Sequence, residues 1–144
     1  MWEIANELAE VAKIAGVDVT INHENMTAQL VRKVIGNFAE NVNNDYLWQS
    51  VSDSLSTCNN EAWAWIGELI PRAECIMFFN PSDEKLSITF RNGRDAVLVL
   101  AETYGFEFYL TNESTDYLLC FNHHNVLMAC GYAKDWLERL LKAQ

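Results

Sequence analysis

Residues 75–93 read CIMFFNPSDEKLSITFRNG, and the fold turns on them. Cys75-Ile76-Met77-Phe78-Phe79 is apolar at every position, as a strand covered on both faces must be. Asn80-Pro81-Ser82-Asp83 is turn chemistry: proline fixes φ, and the short polar side chains bond back to the backbone. Leu86, Ile88 and Phe90 then alternate with Lys85, Ser87, Thr89 and Arg91, the pattern of a strand with one solvated face. Asn92-Gly93 marks the next turn.

Toward the C-terminus the period switches between helix and strand. Residues 94–104 carry Val97, Leu100, Ala101 and Tyr104 on one helical stripe, with Gly105 as a stop. Phe106 to Leu110 and Tyr117 to Phe121 read as two further strands around a polar turn at 112–116. A closing helix starts near Tyr132 and buries Trp136, Leu137, Leu140 and Leu141.

Toward the N-terminus the chain is mostly helical. An amphipathic helix is expected over 2–15, with Ile4, Leu8, Val11, Ala12 and Ala15 inward and Gly16 at its end. Residues 17–21 alternate as a short strand or extended connection. Asn25 is expected to cap a helix with Leu30, Val31, Val34, Ile35 and Phe38 inward, and Asn41 to Asn44 break it. Two short helices are expected next. Asp45 would cap the first, over 46–55, and Asn60 the second, with Ala62, Trp65, Ile66, Leu69 and Ile70 inward, Trp63 at its margin and Pro71 as the stop. The order, helices first and then β-β-α-β-β-α, predicts an α+β domain in which helices pack on an antiparallel sheet. One domain over 1–144 is expected, with no repeat, linker or low-complexity segment.

Half of the 144 residues are hydrophobic, enough for one core and unlike a disordered chain. No run approaches the roughly 20 apolar residues that span a bilayer. The start, MWEIANELAE, is acidic where a secretory signal would be basic, so a cytoplasmic protein is expected. Cys58, Cys75, Cys120 and Cys130 form no CxxC pair and are read as free thiols. The net charge of −10 argues against direct contact with nucleic acid or an anionic membrane, and it favours a basic protein partner. Solubility alone would also account for it.

The stretch CFNHHN, residues 120–125, holds two of the three histidines. On a strand His123 and His124 would face opposite sides, and on a helix they would lie about 100° apart, so one metal ion is hard to reach with both. No metal or other cofactor is expected. Cys120 or Cys130 with either histidine has the residue types of a nucleophilic pair, but an apolar strand keeps a thiol inert. The histidines therefore either order a tight turn or meet a partner at the end of a buried strand.

Three segments, FFNPSDEKLSITFRNG, ETYGFEFYLTNESTDYLLCFNHHNVLMACG and WLERLL, resemble a family of small bacterial immunity proteins associated with polymorphic and contact-dependent growth inhibition toxins. The resemblance covers about residues 73–141. It implies a binding protein without enzymatic activity, held against one cognate toxin domain that is often a basic nuclease. It carries over no binding residues. Charge and expected loop exposure nominate Asp83, Glu84, Glu107, Glu113, Asp116, His123 and His124 as toxin-binding. The alternatives are a small Cys/His-based or metal-assisted enzyme and a general acidic adaptor.

Overall fold

The computed structural model describes residues 3–40, 46–103 and 105–144. In chain order the elements are α1 (Ile4–Ala15), β1 (Val19–Asn22), α2 (Glu24–Phe38), a 3-10 turn at Leu47–Gln49, β2 (Leu55–Cys58), a 3-10 turn at Ala62–Trp65 that runs into α3 (Ile66–Leu69), β3 (Cys75–Phe78), β4 (Ser87–Phe90), α4 (Gly93–Leu100), β5 (Phe108–Thr111), β6 (Tyr117–Phe121), β7 (Val126–Gly131) and α5 (Tyr132–Ala143). The fold is α+β, and the described residues build one seven-stranded antiparallel sheet in the order β1-β4-β3-β5-β6-β7-β2.

Strand periodicity divides the apolar residues between two cores. Cys75, Met77 and Phe79 of the β3 segment join Phe108 and Leu110, Tyr117, Leu119 and Phe121, and Leu127 and Ala129 on the face covered by α1, α3, α4 and α5. Ile76 and Phe78, Tyr109, Leu118 and Cys120, and Cys130 point the other way, against Leu30 and Val34 of α2 and Leu47. Successive strand residues face opposite sides, so a run that is apolar throughout needs a layer on each face. The central strand expected at 75–79 is found, with all four residues of β3 buried.

Helix ends follow local chemistry. Gly16, at φ 75°, closes α1 with its N–H on the carbonyls of Ala12 and Lys13. The first turn of α1 is satisfied from elsewhere: the Ala5 N–H donates to Glu84 Oε1 at 2.8 Å. His23, not Asn25, caps α2, its ring Nδ1 accepting from the Met26 N–H. Asn92 caps α4 by accepting from the Asp95 N–H at 2.8 Å. Gly93 sits so close to α3 that a Cβ there would lie 2.5 Å from the Ile66 carbonyl oxygen and 2.6 Å from that of Ile70. Backbone oxygens cannot rotate away, so Gly93→Ala is expected to cost about 2 kcal/mol, read as a lower urea midpoint at unchanged slope.

Several expectations are corrected. The helix expected over 46–55 is instead a 3-10 turn followed by β2, in which Leu55 and Thr57 are half-buried and Ser56 and Cys58 exposed. That alternation, paired to β7, wins over helical spacing. A strand absent from the expected order, β7, follows β6, because 126–131 is almost wholly apolar and shows no period. Helix α4 ends at Leu100 and buries Ala96, Val99 and Leu100, leaving Ala101 exposed. Trp63 is half-buried at the edge of the larger core. Trp2 at the start of the first helix, the break at Asn41 to Asn44, the cap at Asp45 and the stripe position Tyr104 lie outside the described residues.

Candidate functional site

At one end of the sheet, Phe78 and Tyr109 stack face to face on the α2 side, ring centres 5.0 Å apart. The same side two residues further along each strand holds Asn80 and Glu107, by the period of two. Both are polar and buried: Asn80 is fully covered and Glu107 is 7% exposed. Such groups need partners, and each has them. The Tyr109 hydroxyl donates to Asn80 Oδ1 at 2.6 Å, and the Asn80 amide donates to Glu107 Oε1 at 2.8 Å. Trp48, on the 3-10 turn, donates its indole N–H to the same Oε1 at 3.1 Å and its backbone N–H to the Tyr109 oxygen at 3.2 Å.

The other carboxylate oxygen holds the β6–β7 turn. The His123 backbone N–H donates to Glu107 Oε2 at 2.9 Å, and the His123 ring Nδ1 meets that same oxygen. The turn closes through Asn122, whose Oδ1 accepts from the N–H groups of His124 and Val126, while Asn125 takes the left-handed conformation at φ 61°. The asparagines thus order the turn, and the imidazoles face outward. With Nδ1 on Glu107, His123 is left with Nε2 as its free polar atom, and its side chain is 54% exposed.

Trp48 sits edge-on to both imidazoles, 6.0 Å from His123 and 5.8 Å from His124. Tyr46 stacks on Trp48 at 5.8 Å, and the two imidazole rings lie 3.9 Å apart. The result is an aromatic and imidazole face in which one carboxylate holds Trp48 and His123 from below, and Tyr46 and His124 pack on those two rings. Beside it lies an open groove of about 500 Å³ whose walls include Tyr46, Asp83, Phe106, Glu107 and His123.

Burial raises the Glu107 pKa, but the donors from His123, Trp48 and Asn80 outweigh it and hold the carboxyl below its ordinary value. The unfolded chain would titrate this group at about 4.3. A lowered folded value means stability that is present above the unfolded pKa and lost as pH falls through the folded one. Wild type and Glu107→Gln should therefore differ most at neutral pH and converge only as pH falls below the unfolded carboxyl value, as read by urea denaturation across pH. A constant difference would remove the carboxylate from the account.

The seven nominated residues separate. Asp83, Glu107 and His123 line the groove, and His124 adjoins it. Glu107 corrects the expectation of an exposed loop acid: it is an internal acceptor. Glu84 is half-buried and also spoken for, capping α1 with Oε1 and accepting from the Lys85 and Leu86 N–H groups with Oε2. Glu113 and Asp116 are exposed in the β5–β6 turn, six residues along the strand from Glu107, roughly 20 Å away. Their turn is tied by Asn112, which accepts from the Asp116 N–H at 2.9 Å. Sequence reasoning missed Tyr46, Trp48, Asn80 and Tyr109. The parity of Asn80 with Phe78 and of Glu107 with Tyr109 was the available signal.

Three of the four cysteines are buried, and the exposed one, Cys58, donates its thiol to the His124 carbonyl oxygen at 3.7 Å. Cys120 is 1% exposed, and burial, then the charge of Glu107, push its thiol well above the ordinary value. Burial likewise pushes Cys130 to about 11 and Cys75 to about 12. Among the described residues no group of three or more His, Cys, Asp or Glu side chains is placed to hold a metal ion. Nor, among them, is any helix long and apolar enough to cross a membrane.

Comparison with protein families matches residues 6–142 to a family of unknown function, DUF6756, and the chain belongs to it. Comparison with curated proteins and with solved structures finds no match.

Proposed function

We propose that this member of a family of unknown function is an immunity protein: it binds and neutralises a cognate toxin domain in the bacterial cytosol. The observation that carries the reading is the face of Tyr46, Trp48, His123 and His124, in which Glu107 holds Trp48 and His123, beside an acidic groove. Binding energy at protein interfaces concentrates on a few rigid anchors, with Trp and Tyr foremost, and ordering them in advance lowers the entropy cost of association. The net charge of −10 supports a basic partner, such as a nuclease, whose approach it would speed. The sequence resemblance over 73–141 points the same way.

The toxin-binding residues are accordingly Asp83, His123 and His124 in contact, with Tyr46 and Trp48 added. Glu107 acts by positioning Trp48 and His123. Glu113 and Asp116, at the far end of β5, would contribute through the long-range field. The test is calorimetric titration with the purified last domain of the protein encoded immediately upstream. Replacing Tyr46 and His124 together by alanine should weaken binding by about 2 kcal/mol, roughly 30-fold. Reversing Glu113 and Asp116 should mainly slow association, and only at low salt. Unchanged affinity in the first variant and lost affinity in the second would move the interface to the other end of the sheet.

A further inference from the structure

The groove beside His123 has a composition that selects one kind of side chain. Its volume, about 500 Å³, suits a single long side chain better than a folded segment. Ile4 supplies an apolar wall for an aliphatic stem, and it is 2% exposed. Tyr46 and Phe106 are half-buried rings, and aromatic faces attract cations. Asp83 brings an exposed carboxylate to the wall, and among the described residues no lysine or arginine pairs with it. Glu107 already accepts four hydrogen bonds, so it adds negative field and no further contact.

We infer that this groove receives one arginine side chain of the protein partner, a reading that rests on the partner proposed above. The guanidinium would lie against the Tyr46 ring with its N–H groups on the Asp83 carboxylate, and its stem would run over Ile4 and Phe106. Lysine fits less well: its ammonium is compact and strongly hydrated, and it neither stacks nor makes the paired bonds to a carboxylate.

The binding measurement needs no toxin, and rescue of toxin-expressing cells is scored beside it. The full chain, labelled for NMR, is titrated with N-acetyl-arginine N-methylamide and, separately, with the lysine analogue. Saturable shifts at Tyr46, Asp83 and Phe106 are expected for the arginine compound, with binding roughly tenfold weaker for lysine. Asp83→Asn should abolish them. That variant keeps the fold, because the turn is held by the Asp83 backbone N–H on the Asn80 carbonyl. Equal response to both compounds, or shifts that survive D83N, overturn the inference. Arginine binding in a protein that rescues no toxin-expressing cell would uphold the groove and remove the immunity reading. Rescue that D83N leaves intact, with no arginine binding, would remove the groove alone.

Discussion

Glu107→Ala is expected to destabilise the protein by about 4 kcal/mol, the sum of several donors left without an acceptor. Four donors converge on this carboxylate: the Asn80 amide, the Trp48 indole and both the backbone and ring nitrogens of His123. Asn80 is fully buried, so its loss cannot be met by bulk water. The loss should spread to Tyr109, whose hydroxyl rests on Asn80, and from there to the α2-side core. Glu107→Gln keeps the shape and the acceptor on one side but turns an amide donor toward the His123 N–H, and should cost about half as much. Urea unfolding separates the two. A stability for E107Q within roughly 0.5 kcal/mol of wild type would mean that the network is ornamental.

The second large effect belongs to Gly131, which joins β7 to α5. Its backbone lies at φ 64° and ψ −140°, a region that residues with a Cβ rarely enter. A Cβ there would also overlap the Asp116 carbonyl oxygen and lie 3.0 Å from the Phe38 ring. Conformational strain and steric overlap act together, so Gly131→Ala should cost about 4 kcal/mol and lower Tm by on the order of 10 °C. An Asp116 mutation cannot relieve it, because the obstacle is main chain. A thermal melt within a few degrees of wild type would show that the β7–α5 junction shifts at little cost.

The sheet was legible because its central strands are unambiguous. Cys75 to Phe79 had to be covered on both sides, and the structure has an apolar core on each face of that strand. The turns at Asn80 and Asn92 were equally plain. The N-terminal half was harder where helical and strand spacing coexist over a few residues. Leu55 to Cys58 became an edge strand because β7 was there to pair with it, which is tertiary information. β7 itself has no polar alternation to betray it.

The site was legible only in part. CFNHHN drew notice as a turn at the end of a buried strand, and it is one. What ties it down, Glu107, looked like any other acid in an acidic chain. Its burial follows from strand parity with Tyr109, and its partner Trp48 comes from 59 residues away along the chain. No local pattern brings those together.

The most direct measurement is growth rescue. The last domain encoded by the reading frame immediately upstream is expressed from an inducible promoter in cells carrying wild type, the Tyr46→Ala/His124→Ala variant, or an empty vector. Growth is expected with wild type, arrest with the empty vector, and weaker rescue with the double variant although its fold is kept. Arrest in the presence of wild type, or undiminished rescue by the double variant at matched protein levels, would contradict the immunity reading.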